Sequence, residues 1–181
     1  MINRIFWDID ETLIHTVLRK PDQDHVSFSL DDGMYYTMIR PCSKALIDFS
    51  RELVGADRVH ILTTATRDYA REVNRLACWG FKNEDIFSRE DQANHSRRFS
   101  LAYGGLHEEC DPHIYAHKNN VIIDNLPARQ NFTKIEFIGI SKTYQDNYLR
   151  INDYYGVEYA DSDFEQDVKE FLIERNLAQE V

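Results

Sequence analysis

The chain of 181 residues is poor in cysteine, has no long apolar run and carries a deficit of positive charge. Its three cysteines, Cys42, Cys78 and Cys110, are odd in number and far apart. That excludes a disulfide framework and gives no zinc-ligand spacing, so they read as structural thiols. No apolar stretch approaches the roughly 18 residues of a membrane span. The opening MINRIFWDID is too short and too acidic for a secretory signal. The expected location is therefore cytoplasmic, with no membrane partner. Lys and Arg total 21 against 31 Asp and Glu, a formal charge of −10. Unaided nucleic-acid binding draws its affinity from Lys and Arg at phosphates, so this balance disfavours it while leaving room for a local basic groove. Repeats, low-complexity segments and linkers are also missing.

What remains is an ordinary globular composition, 43% hydrophobic, of a length that suits one domain over 1–181. Residues 2–7 read as a buried strand, short, β-branched and aromatic. Val26, Phe28 and Leu30 alternate, Asp32-Gly33 follows, and MYYTMI resumes the apolar pattern, so a β-hairpin insertion is expected at about 24–40. A helix is expected over 43–54, a strand over 58–62, a helix over 68–79 stopped by Gly80, and a short strand at 85–87. Residues 90–118 are polar, with an expected helix broken at Gly104-Gly105; strands are expected at 120–124 and 134–140. Ser162 and Glu165 make a capping box for a last helix whose apolar face is Phe164, Val168, Phe171 and Leu172. Strands alternating with helices predict an α/β fold: a Rossmann-like parallel sheet with helices on both faces.

In such a sheet, ligands bind at the carboxyl ends of the strands. Three of those ends are polar: Asp8, Thr63-Thr64 and Asp124-Asn125. The first lies in IFWDIDETL, where Asp8, Asp10 and Glu11 crowd three carboxylates into four positions. Such crowding costs free energy unless a counter-charge offsets it. Side chains on extended backbone alternate, so Asp8 and Asp10 can point the same way. With Asp124 from another strand they make a set of hard oxygen ligands suited to Mg²⁺, which also keeps waters and phosphate oxygens. The blander reading, an acidic turn capping a helix, leaves the partners on two other strands unexplained.

DIDET, HILTT and VIIDN together resemble the haloacid dehalogenase superfamily, whose signature D-x-D-x-T/V sits on a Rossmann-like sheet. DIDETLIHT, IRP, LTTATRDYA, FSRE and VIIDNLP, in that order, are similar to the FCP/SCP-type (NLI-interacting-factor-like) phosphatases that act on the C-terminal domain of RNA polymerase II. The resemblance covers roughly residues 4–175 and implies a Mg²⁺-dependent phosphomonoester phosphatase without a large cap. It implies Asp8 as nucleophile and Asp10 as general acid and base. It also implies Mg²⁺ held by Asp8, the Asp10 carbonyl and Asp124, Asn125 on a metal water, Thr12 bracing the loop, and Thr63 or Thr64 on the phosphoryl oxygens. An open site suits a big substrate, a protein segment or a nucleic-acid end, and the resemblance puts phosphoserine or phosphothreonine protein first.

The family also has a basic residue, usually Lys, on the phosphoryl oxygens, and here the sequence departs from its pattern. Lys118 precedes Asp124 by a whole strand, which at about 3.3 Å per residue puts it roughly 20 Å away at the wrong end. RFSLAYG resembles the family's K-D-L-S-x-L-G, making Arg98 the candidate, with Arg97 behind it. Arg67, Arg71 and Arg75 share a helix face. They form either a rail for a polyanion, with Arg67 as a candidate substrate contact, or a solvated face balanced by Glu72 and other surface acids, the expected reading. Tyr35 and Tyr36 of the hairpin could touch substrate or simply pack. His15 is close enough to the nucleophile loop to contact substrate, His60 falls inside a strand, and none of the seven histidines has a metal-ligand spacing. Two rival functions stay open: a nucleotide or nucleic-acid 3′-end phosphatase, and a non-catalytic binding module on the same fold. Glu11 has no assigned task, and the oligomeric state is open.

Overall fold

The computed structural model describes residues 1–95, 116–140, 146–156 and 161–178. In chain order the elements are β1 (Ile5–Trp7), β2 (Ile14–Val17), β3 (Val26–Leu30), β4 (Gly33–Ile39), α1 (Ser43–Val54), β5 (Val59–Leu62), α2 (Arg67–Leu76), β6 (Ile86–Phe87), α3 (Arg89–His95), β7 (Val121–Asp124), α4 (Phe132–Phe137), β8 (Tyr148–Arg150) and α5 (Asp161–Ala178). A five-stranded sheet runs β6-β5-β1-β7-β8, with its four strand pairings parallel. β1, β5, β6 and β7 are short and wholly buried, as parallel strands under helical layers must be, while the edge strand β8 runs out to an exposed Arg150.

Alternation along the strands divides the core in two. Ile5, Trp7, Val59, Ile61, Val121 and Ile123 face one way and pack with Leu46 and Ile47 of α1, Val73 of α2 and Val168 and Leu172 of α5. Phe6, Leu62 and Ile122 face the other way and pack with Phe87, Tyr148 and Ile135, Phe137 and Ile138 from the α4 segment. The expected parallel sheet with helices on both faces is the fold observed.

The hairpin insertion is present, and it gains a strand. β4 pairs β3 on one side and β2 on the other, both antiparallel, giving a three-stranded sheet. β2 follows directly on the loop after β1, so this sheet stands beside the carboxyl end of that strand.

Two expectations are corrected. The strand expected at 134–140 is instead helix α4, Phe132–Phe137. Ile135 and Phe137 satisfy a period of two, but Lys134, Ile135, Phe137 and Ile138 are all buried, with Lys134 and Ile138 one helical turn apart. Gly139 stops the helix at φ +67°, where a Cβ would meet the Ala116 Cβ at 2.7 Å. The helix expected to reach Trp79 ends at Leu76. Asn74 there clamps Phe81 through its own amide, at 3.0 and 3.1 Å, and Trp79 turns under α1 to donate to Ser43 Oγ at 3.0 Å. The expected Gly104-Gly105 break lies outside the described residues. No helix among the described residues is long and apolar enough to cross a membrane.

Candidate active site

β1 and β7 are in register, Phe6 against Ile122 and Trp7 against Ile123. One residue further on, both strands end in an aspartate, Asp8 and Asp124, on the side of the sheet that α4 covers. α4 crosses that side and projects Lys134, 2% exposed, between them. Its ammonium donates to Asp8 Oδ1 and to Asp124 Oδ2, each at 2.6 Å. Lys134 is the basic residue in contact with the nucleophile candidate, and the sequence reading missed it by placing its segment in a strand. Arg97 and Arg98 lie outside the described residues. Lys118 is exposed at the far end of β7, where its carbonyl accepts from Asn147.

The loop over residues 8–13 is pinned from several directions. Asp8 N donates to Ile123 O at 3.0 Å, and Leu13 N to Ile9 O at 2.8 Å. Thr12 is fully buried. Its hydroxyl reaches Asp8 Oδ2 at 3.2 Å and accepts from the Asn125 amide N–H at 3.2 Å, tying the two strand ends together. Arg40, stacked 3.9 Å from the Phe164 ring, donates to Thr12 O at 2.6 Å. Glu11 takes the left-handed backbone at φ 58°. Its carbonyl accepts from Tyr154 N, and its carboxylate meets His15 Nδ1 at 2.6 Å. Glu11 thus makes the turn and anchors His15, whose ring stands edge-on to Tyr155 at 5.4 Å. Asn125, also buried, donates to Asp153 Oδ1 at 2.9 Å.

Burial pushes the Asp8 carboxyl up to about 7; Lys134 opposes this, while Asp124 and Asp10 add to it. Burial also raises Asp10, against hydrogen bonding from Tyr69 and the charges of Lys134 and His15. Burial, then the nearby Asp10 carboxylate, raises the Tyr69 phenol, which therefore stays a donor. Three carboxylates around one ammonium leave the site short of positive charge. Among the described residues no three His, Cys, Asp or Glu side chains form a ready-made metal cluster. Two carboxylates, Asp8 and Asp124, do converge there on one ammonium. That set fits Mg²⁺, which takes one or two carboxylates and fills its other positions with water and phosphate oxygens.

Asp10 is half-buried and opens onto a cavity of about 270 Å³ lined also by Asp32, Tyr35, Thr64, Ala65, Thr66, Tyr69 and Arg89. Thr64 is exposed there, whereas Thr63 is buried, its Oγ1 accepting from Ala65 N at 3.1 Å and its carbonyl from Gln92 Nε2 at 2.6 Å. Arg89 donates to Thr64 O at 2.8 Å and brings a guanidinium to the cavity. It sits in the FSRE motif, a signal that sequence reasoning quoted without assigning a role. Tyr35 stacks on Phe28 at 5.3 Å, and Tyr36 lies beside His25 at 5.5 Å, so packing occupies both rings. Arg67 does not line this cavity: its guanidinium pairs with Asp91 at 2.8 Å. Arg75 pairs with Glu72.

The chain matches the NLI interacting factor-like phosphatase family over residues 4–181. No curated protein matches it in sequence. Among solved structures it is similar to Fcp1, an essential RNA polymerase II CTD phosphatase, with a TM-score of 0.53 and 21% identity over 99% of this chain and 52% of that one. It is likewise similar to a beryllium fluoride-bound variant of the fission yeast RNA polymerase II CTD phosphatase Fcp1, with a TM-score of 0.51 and 18% identity over 99% of this chain and 54% of that one. The likeness at that identity is one of fold, and the chain spans about half the length of these solved chains. The family match covers nearly every residue, and on it the chain belongs to the NLI interacting factor-like phosphatases.

Proposed function

We propose that this protein is a Mg²⁺-dependent phosphomonoester phosphatase whose substrate is a phosphoserine or phosphothreonine in a protein segment, hydrolysed through an aspartyl-phosphate on Asp8. The observation that carries the reading is the Lys134 ammonium held between Asp8 and Asp124, with Asp10 near enough to feel the charges of Asp8 and Lys134 and lining an open cavity.

Asp8 and Asp124, with the Asp10 carbonyl, would hold Mg²⁺, and Asn125 would hold one of its waters. When bound, the ion supplies positive charge against the transferring phosphoryl oxygens. Asp8 attacks phosphorus through a carboxylate oxygen, and the bond from phosphorus to the serine or threonine oxygen breaks. Asp10 gives its proton to that leaving oxygen. It then takes a proton from the water that attacks phosphorus, and the bond to Asp8 breaks with release of inorganic phosphate. Lys134 keeps Asp8 oriented and balances charge on the phosphoryl group. Thr63 or Thr64 donates to its oxygens. The fixed loop and buried donors need no rearrangement as charge develops.

The runner-up, a nucleic-acid 3′-end phosphatase, drew on the arginine face of α2. Two of those three arginines, Arg67 and Arg75, are ion-paired with acids, which favours the balanced surface over a rail. The wild-type enzyme should hydrolyse phosphopeptides in Mg²⁺, stop in excess EDTA, and lose all activity in Asp8→Asn. Turnover surviving either treatment overturns the mechanism. Faster hydrolysis of a 3′-phosphorylated oligonucleotide than of any phosphopeptide overturns the substrate class.

A further inference from the structure

Tyr69 does more than fill space. Its ring packs among Phe28 and Tyr35, with centroids 5.7 Å from each. A phenylalanine would serve that packing equally well. The hydroxyl, however, is spent on two polar contacts in a residue 8% exposed: Asp10 Oδ1 at 2.6 Å and Thr16 Oγ1 at 2.7 Å. Thr16 in turn lies 2.8 Å from Thr37 Oγ1. These threonines are cross-strand partners in β2 and β4 of the insertion sheet.

A phenol has one proton. A carboxylate is the stronger acceptor, so that proton goes to Asp10. The Thr16 hydroxyl must then donate to Tyr69, and Thr37 must donate to Thr16. All three protons are ordered in one direction, and the chain ends on Oδ1. A donor held at Oδ1 fixes the rotation of the Asp10 carboxyl and leaves Oδ2 as the oxygen that Tyr69 does not engage.

Taking Asp10 as the general acid of the proposed reaction, we propose that Tyr69 is its positioning residue: the Thr37-Thr16-Tyr69 hydroxyl chain holds the Asp10 carboxyl by Oδ1 and leaves Oδ2 to face the leaving oxygen. The insertion sheet thereby reaches into the chemistry as well as framing the mouth.

Leaving-group dependence separates this from a merely structural role. para-Nitrophenolate departs readily without protonation, whereas phenolate needs it, and the two esters have nearly the same shape. Tyr69→Phe should lower kcat/KM for phenyl phosphate roughly tenfold or more, as a displaced catalytic group does. It should lower kcat/KM for para-nitrophenyl phosphate less than about threefold, because that ester draws little on general acid catalysis. Thr16→Val, which removes only the donor behind Tyr69, should show the same selectivity at smaller size and carries the test if Tyr69→Phe fails to fold. Equal losses on both esters, or no loss on either, would overturn the proposal. A wild-type enzyme inert toward both esters would sink the phosphatase reading beneath it, an outcome distinct from either.

Discussion

The two faces of the central sheet are built differently. One packs three helices onto Ile5, Trp7, Val59, Ile61, Val121 and Ile123, and the polar atoms it buries include two serine hydroxyls, Ser43 and Ser50, that meet indole N–H groups. The other is a smaller apolar cluster laced with polar side chains. Asn120 donates to Ile138 O at 2.7 Å, Asn131 to the Tyr148 hydroxyl at 2.5 Å, and His60 lies between the rings of Phe6 and Phe87. Lys134 arrives across this second face. Burying polar groups costs stability unless each is hydrogen-bonded. That cost is concentrated on the face that carries the cation, while the first face supplies apolar burial. Stability and chemistry are thus divided between the sides of one sheet.

The sharpest way to break this division is one substitution on each side. Lys134→Met should lower kcat/KM about 10³-fold, the scale of removing a preorganised charged donor. Lys134→Arg should not restore it, because a planar guanidinium does not fit where an ammonium bridges two carboxylates. Leu172→Ala on the other side should cost about 3 kcal/mol by urea unfolding and leave kcat/KM within about twofold. A Lys134→Met enzyme with normal kcat/KM would return the phosphate-binding role to Arg98 or Arg97 and dissolve the contrast.

The same division explains what could be read from the sequence. Asp8, Thr63 and Asp124 each stand at the end of a short buried strand, so strand direction alone brings them to one edge. The insertion hairpin was legible from Asp32-Gly33. Lys134 was not, because KIEFIGI serves either period: Ile135 and Phe137 alternate as in a strand, while Lys134 and Ile138 are a helical turn apart. A six-residue helix offers too few turns to decide between them. β8 and β2 were missed for a related reason. They are three and four residues long, and their identity comes from pairing with distant strands. Glu11 looked like a spare acid, because a left-handed turn in a non-glycine residue leaves no local signature. Groups hung on strand ends are legible; groups delivered across a face by a short helix are not.

His60 gives the next, smaller test of the polar face. Burial, then the charge of Arg4, holds its imidazole down at about 4, against the pull of Asp57. Asp85 lies 3.3 Å from Nδ1, too little to reverse the effect of burial. The unfolded chain takes up this proton near 6.5, the folded chain only near 4, so between those values the unfolded state holds more protons. Stability should therefore fall as pH drops through this window, by at most about 3 kcal/mol from this residue, and be flat above it. His60→Leu should remove that part of the slope, measured as urea midpoints at neutral and mildly acidic pH for both proteins. An unchanged slope would mean that the imidazole is not buried neutral.

The smallest expected effects lie at the rim, where two arginines of similar exposure are used in opposite ways. Arg67 points away from the mouth, paired with Asp91 in a groove beside β6. Arg89 lines the Asp10 cavity, anchored by Thr64 O. A charge-assisted hydrogen bond to a substrate anion contributes about 1.5 kcal/mol. Arg89→Ala should therefore raise KM for a phosphopeptide about tenfold and change kcat little. Arg67→Ala breaks a partly exposed ion pair, so it should cost under about 1 kcal/mol of stability and leave KM unchanged. If Arg67→Ala raised KM and Arg89→Ala did not, the substrate would run along α2 instead of over the Asp10 cavity. The division between the faces would survive that result, since Lys134 and Asp8 are paired with each other and line neither groove. What would change is the direction from which the phosphorylated segment enters.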